Sequence, residues 1–343
     1  MKRRGKRNQP ARRSRPDGQD GFALLVTLLT IALLTVVVVE FTYSSQVGYR
    51  RSANHLRARQ AGLLAESGID IASVILGYDG ATTKYDSLDE LWAQPLPPIQ
   101  AGAGLVVLRI EDETARYNLN RLRRPSAGEI QRSSRLLEQA GLDGSLVAAL
   151  ADWIDSDDNP RSFPDGAESR YYANLPHAYT ARNAPLRSLG ELALVRGFDE
   201  QKTAKLALLA NVLDRETDKV NVNTASREVL VALHPAMDNA PLMARLMEAR
   251  LRAPFRNRKD LETRVEGMAD IPIYTLLDFK SRHFRVTATG VVDGIYRSVV
   301  ALLSRDGPRI KRTYWIERRG ALIGGVDTSS PTSLKDLPWQ AEF

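Results

Sequence analysis

Residues 21–39 read GFALLVTLLTIALLTVVVV, and from Phe22 to Val39 the chain runs 18 residues without a charge. A helix of that length spans about 27 Å, close to the roughly 30 Å hydrocarbon core of a bilayer. Upstream lie eight Lys/Arg (Lys2, Arg3, Arg4, Lys6, Arg7, Arg12, Arg13, Arg15) against Asp17 and Asp20. Short flanking segments rich in Lys/Arg stay cytoplasmic, so the bulk of the chain after Val39 is expected across the membrane. A secretory signal would carry an apolar core of about 7–15 residues and a small-x-small cleavage site behind it. EFTYSSQVGYRR (40–51) offers no such site. The small residue suited to a peptidase is Gly21, ahead of the apolar run.

The leader accounts for most of the formal net charge of +7 over 343 residues, so the basic balance does not argue for a nucleic-acid partner. The chain has no cysteine, which excludes disulfides, thiol catalysis and Cys-based metal sites. The four histidines (His55, His177, His234, His283) show no metal-ligand spacing. There is no nucleophile elbow, phosphate loop or HExxH, and Gly102-x-Gly104 lacks its third glycine. No enzymatic role is expected.

Ala58, Ala61, Ala65, Ile69, Ala72 and Leu76 recur at three- and four-residue steps, a helix whose small residues suit close packing on a sheet. Gly77 and Asp79-Gly80 are expected to end it. Residues 81–100 are turn-rich, with Pro95, Pro97 and Pro98. GLVVLRIEDE (104–113) reads as a strand, 283–305 as two strands around Val292-Asp293-Gly294, and YWIERR (314–319) as one more. Between Asn118 and Lys280 the pattern turns helical, in segments 145–154, 189–197, 200–213, 225–233 and 240–251. The expected fold class is α+β: a long N-terminal helix on a small antiparallel sheet, with a large all-helical insertion. The expected division is a leader (1–21), a membrane helix (22–39), a discontinuous α/β domain (40–117 with 281–320), the insertion (118–280) and a tail (321–343).

Within the insertion, DWIDSDDNPRSFPDGAE (152–168) puts Asp155, Asp157, Asp158, Asn159, Asp165 and Glu168 close together. Hard cations such as calcium take six to eight oxygens at about 2.3–2.6 Å, often from such loops. Asp155-x-Asp157-x-Asn159 copies the start of an EF-hand, but Pro160 stands where glycine is needed and Gly166 where the closing Glu belongs. The same residues also suit a solvated turn that ends the helix through Trp153.

A charged leader, Gly21, then Phe22 opening an apolar helix resembles the signal of type IV pilins and type II secretion pseudopilins. Tyr117-Asn118-Leu119-Asn120, Val220-Asn221-Val222-Asn223-Thr224-Ala225, the acidic stretch followed by Tyr171-Tyr172, Asn183-Ala184-Pro185-Leu186 leading to Glu191-Leu192, Val195-Arg196-Gly197-Phe198 and YWIERR fall in order along the chain. Together they resemble the K-type minor pseudopilins of the type II (general) secretion system over most of its length. The resemblance implies cleavage by prepilin peptidase between Gly21 and Phe22, N-methylation of Phe22, and an inner-membrane subunit that enters a periplasmic pseudopilus at its tip. It implies I-type and J-type minor pseudopilins as partners and contact with the inner-membrane secretion platform; the H type, the secretin and exported proteins are further candidates. It implies calcium in the globular part, held by the acidic loop, and a helix-hairpin-helix or SAM-like insertion. The family's usual Glu at the fifth mature position is Val26 here, a departure shared by the K type. A subunit without that carboxylate has none to offer a subunit above it. The helix carrying Ala58, Ala61, Ala65, Ile69 and Ala72 is expected to bind the partner helices.

A type IV pilus-associated role is one rival. DNA binding is another, because residues 220–261 resemble helix-hairpin-helix modules. Their phosphate grip is a Gly-x-Gly hairpin. Here that turn reads His234-Pro235-Ala236-Met237-Asp238, without glycine and with an aspartate. Arg245, Arg250, Arg252, Arg256, Arg258 and Lys259 are expected to form a solvated face, and no nucleic-acid partner is expected.

Overall fold

The computed structural model describes residues 18–161, 166–214 and 219–319. The chain divides into two compact units, residues 1–57 and 58–343. The described part of the first unit belongs to one helix, α1 (Gly18–Thr82). Among the described residues it is the one helix long and apolar enough to cross a membrane. Its threonines suit that setting. Thr27, Thr30, Thr35 and Thr42 each donate their hydroxyl to a carbonyl three or four residues back, at 2.7–2.8 Å. The threonine hydroxyls within residues 22–39 are thus all paired, as a hydrocarbon setting would require.

In the second unit the chain order is the rest of α1, β1 (Ile99–Ala101), β2 (Gly104–Asp112), β3 (Tyr117–Asn118), α2 (Ala127–Gln139), α3 (Val147–Ile154), α4 (Ser169–Ala173) and α5 (Glu200–Ala207). Then come β4 (Ala210–Asn211), β5 (Val220–Asn221), α6 (Arg227–Leu233), α7 (Ala240–Arg252), α8 (Arg258–Arg264) and β6 (Leu277–Asp278). The last strands are β7 (His283–Val292), β8 (Ile295–Asp306) and β9 (Arg309–Arg319). One antiparallel sheet, ordered β1-β2-β7-β8-β9, thus joins strands from both sides of a long helical stretch. This is an α+β fold. Asp293 and Gly294, both at positive φ, make the tight β7–β8 turn that the Asp-Gly pair predicts.

Ala61, Ala65, Ile69, Ala72 and Leu76 are fully buried on α1. Most of them pack with Leu108, Ile110, Phe284, Val286, Ala288, Val299, Ala301 and Leu303 from the sheet. The approach is close enough that a Cβ on Gly290 of β7 would overlap the Ala61 carbonyl. The helix also runs on to Thr82 rather than ending at Gly77. Gly80 is needed for proximity: a Cβ there would overlap the Gly307 carbonyl in the β8–β9 turn.

The insertion is built twice on one plan. In each half a two-residue strand ends in Asn-x-Asn, and a serine then caps a helix. Asn118-x-Asn120 precedes Ser126, whose Oγ accepts from Glu129 N; Asn221-x-Asn223 precedes Ser226, whose Oγ accepts from Val229 N. β3 pairs in parallel with β4, and β5 with β6. The asparagines are tertiary staples. Asn223 donates to Phe255 O and accepts from Phe255 N at 2.9 and 2.8 Å, as a strand neighbour would. Asn120 does the same to Leu186, at 3.0 and 2.8 Å.

Three helical expectations differ from the structure, the first being 189–197, which forms only a short 3-10 helix, Leu189–Leu194. The helix expected over 200–213 stops at Ala207, because Ala210-Asn211 is drawn into strand pairing with Tyr117-Asn118. Helix α2 is not among the expected segments; its burial rests on few apolar residues, chiefly Leu136 and Leu137. Gly290→Ala is expected to destabilise the second unit by about 2–3 kcal/mol, the cost of overpacking against backbone that cannot rotate away. A shift of the denaturant midpoint in the full chain checks it, with no change expected for Gly294→Asn, where the left-handed turn tolerates asparagine.

Candidate functional site

The acidic stretch is assembled by a buried helix. All eight residues of α3 are buried, so Asp152 and, just past the helix end, Asp155 enter the interior with it. Asp152 is satisfied by main chain. Its carboxylate accepts from Arg161 N at 3.2 Å and Ala167 N at 2.7 Å, so that Arg161 and Ala167 are held to the same side chain. The returning limb is braced by aromatic packing: Trp153 meets Tyr172 edge-on and Tyr172 stacks on Tyr179. The Tyr172 hydroxyl accepts from Arg196 N, and the Arg196 guanidinium donates to Gly166 O.

Closing the loop brings Asp155, Asp157 and Glu168 together, with one carboxylate oxygen of each within 4.8 Å of the others. Asp155 and Glu168 are 4% and 3% exposed, yet among the described residues Asp155 Oδ1 and both Glu168 oxygens have no hydrogen-bond partner. Glu168 stands at the N-cap of α4 but does not cap it. Asp158 serves there instead, accepting from Ser169 N at 3.3 Å. Burial, followed by the carboxylates of Asp152, Asp155, Asp158 and Asp157, pushes Glu168 up to about 8. Burial also raises Asp152 and Asp155, against the opposing pull of Arg161.

Of the expected ligand set, Asn159 binds within the loop, its N and Nδ2 both donating to Asp157 Oδ1. Asp165 lies outside the described residues. Sequence reasoning missed three residues. Asp152 lies one helical turn before Asp155, a legible signal. Arg161 reaches Asp155 Oδ2 at 2.9 Å. Asn183, held at positive φ, crosses to the loop and donates to Asp157 O at 3.0 Å. Three inward-facing oxygens with no donor, on a pair of buried carboxylates, are what a hard cation satisfies; the donor set fits calcium.

The partner-helix expectation needs correction. Ala61, Ala65, Ile69 and Ala72 are wholly buried within the chain's own fold, so they cannot meet another subunit; Ala58 is half-buried. The outward side of the same helix leaves Leu63, Val74 and Tyr78 at 62%, 72% and 74% exposure, with Ser67 between them. Gly21 and Phe22 are exposed on α1, and Val26 puts no carboxylate into its apolar stretch. The arginine run is for the most part the solvated face expected: Arg245, Arg252, Arg256, Arg258 and Lys259 are exposed, and Arg250 turns inward. Arg250 donates to Val222 O and Ala225 O, Arg245 to Glu266 O, and Arg252 and Arg258 pair with Glu248 and Glu262. Arg250 is the member whose donors go to buried main chain, while the pairs made by Arg252 and Arg258 lie on the surface.

Residues 115–215 and 220–279 match family models for protein K of the type II secretion system. The type II secretion system protein K of Pseudomonas aeruginosa is 34% identical over 258 residues, 71% of this chain and 76% of that protein. The chain belongs to the type II secretion system protein K family. The Klebsiella pneumoniae member is 32% identical over 247 residues, covering 68% of this chain and 75% of its own length. A chain in the crystal structure of the GspK-GspI-GspJ complex from enterotoxigenic Escherichia coli shares the fold, with a TM-score of 0.63 at 21% identity. That match covers 79% of this chain and all of the other. The protein K matches divide the insertion at the boundary between its two halves, and the acidic loop falls in the first.

A carboxylate whose pKa is raised by folding is protonated when folded and ionised when unfolded. Metal-free stability therefore falls as pH climbs from the ordinary 4.5 of Glu168 to about 8, and levels off above. Glu168→Gln is expected to flatten that fall and to stabilise the metal-free protein at pH 8 by about 1–2 kcal/mol. Thermal melts across pH check it; an unchanged slope in the variant contradicts the assignment.

Proposed function

We propose that this chain is a structural, non-catalytic minor pseudopilin at the tip of the type II secretion pseudopilus, where it primes assembly and supports export. Residues 22–39 anchor it in the inner membrane, with the N-terminus cytoplasmic and the bulk periplasmic. The observation that carries the reading is the two-sidedness of α1. One face is consumed by the chain's own sheet, and the other leaves Leu63, Val74 and Tyr78 bare at helical spacing. An unpartnered apolar stripe beside a membrane anchor suits another pseudopilin helix. I-type and J-type subunits are the proposed partners, supported by the GspK-GspI-GspJ complex whose chain shares this fold. Val26 supports the terminal position, because the apolar stretch has no carboxylate with which to bind the amine of a preceding subunit above it. Prepilin peptidase would cut between Gly21 and Phe22. A metal ion held by Asp155, Asp157 and Glu168 would neutralise their mutual repulsion and fix the loop; calcium is the proposed ion.

Leu63→Asp combined with Val74→Asp is expected to abolish co-purification of the full chain with I-type and J-type partners. Both sites are exposed, so stability should move by less than about 0.5 kcal/mol. A complex that survives both changes refutes the interface. Gly21→Val should leave the precursor uncut, because a Cβ keeps the backbone from lying close in the peptidase cleft. N-terminal sequencing of membrane-extracted protein reads the outcome, and an intact leader in secretion-competent cells carrying the unaltered chain overturns the processing step.

A further inference from the structure

We infer that Arg161 is a built-in competitor of the metal site: its guanidinium stands in for a cation at Asp155 and is displaced when calcium binds. The inference rests on the calcium reading above and concerns what sets the affinity of that site. Asp152, Asp155 and Glu168 are all buried, and Asp157 adds a fourth carboxylate. The cation set against them is Arg161, with Nη2 2.9 Å from Asp155 Oδ2 and Nε 3.7 Å from Asp152 Oδ1.

The pairing is incomplete in a way that favours exchange. Among the described residues Arg161 Nε has no hydrogen-bond partner, and the side chain is 34% exposed. It engages one oxygen of Asp155 and leaves Asp155 Oδ1 and both Glu168 oxygens bare. A single guanidinium brings one charge to one corner of the cluster. A divalent ion among the three carboxylates brings two charges and satisfies the bare oxygens together.

The side chain can leave without opening the loop. The backbone N of Arg161 is tied separately to Asp152, as is Ala167 N. Arg161 also lines a cleft of ≈ 920 Å³ bordered by α2 and α3, ample for a released guanidinium. Glu138 and Asp143 lie on the same cleft and set two carboxylates against the one other arginine that lines it, Arg135. Were Arg161 to stay in place, it would repel an ion bound to the same carboxylate a few ångströms away.

Calorimetric titration of the full chain in detergent micelles with calcium chloride tests this, comparing the unaltered protein with Arg161→Gln, Arg161→Ala and Arg161→Lys. The neutral variants are expected to tighten the calcium Kd by at least about tenfold, and Arg161→Lys to stay within about threefold. Metal-free Arg161→Gln and Arg161→Ala should melt lower than the unaltered chain and gain more from saturating calcium. Arg161→Gln keeps the stem and a donor, which guards against a folding defect in Arg161→Ala. Binding seen only in the neutral variants supports competition in its strongest form. A Kd unchanged or weakened in both neutral variants overturns the competitor and leaves the metal site standing. No calcium heat in any of the four proteins overturns both.

Discussion

The second unit depends on one buried carboxylate. Asp112, at the end of β2, is 7% exposed and accepts hydrogen bonds from three hydroxyls. Thr114 lies where the insertion begins, Thr224 where its second half begins, and Ser281 where it returns to the sheet. Three segments, the farthest 169 residues along the chain from Asp112, are thereby tied to one side chain. Burial raises the Asp112 pKa, and the three hydroxyls oppose that shift. Ser281 extends the connection: its N donates to Asp86, which with Asp79 flanks the buried guanidinium of Arg305 on β8. The end of α1, the insertion and the sheet are joined by polar groups that satisfy one another, and a network of this kind specifies one arrangement because breaking any member strands the rest.

The asparagines extend the same logic through the helical part. A helical insertion with two-residue strands has little regular pairing between its segments. Side-chain amides present a donor and an acceptor with peptide-like geometry, so Asn120 and Asn223 close backbone pairs that no strand reaches. Asn211 adds a donor to Glu113 O and Asn221 a donor to Asp86 O. The recurring Asn-x-Asn phrases are thus explained by folding and need no ligand.

Much of this was legible in the sequence. The apolar run of α1, the small-residue stripe and the Asp293-Gly294 turn gave the class, because periodicity and turn chemistry are local. The small residues of the stripe marked it for close packing on a sheet, which it makes, but the same residues cannot also serve partner helices, and the outward apolar positions carry no such signature. The chain's own sheet took that row and left Leu63, Val74 and Tyr78 outside. The acidic loop announced a cluster but not its membership. Asp158 went to a helix start and Asn159 to Asp157, choices made by loop closure. Asn183 joined from a distant segment that no spacing rule connects. Gly80 was misread as a stop because a glycine required by a neighbouring turn looks the same as one that ends a helix.

The register of β2 on β7 sets Asp112 opposite Phe284. The chain therefore leaves the sheet and returns to it at neighbouring points on adjacent strands. A tensile load carried from α1 into β2, β7, β8 and β9 passes across the mouth of the insertion rather than through it. The helical half of the molecule therefore hangs from the sheet at its base, outside the line of the strands, and is held there by Asp112 and its three hydroxyl partners.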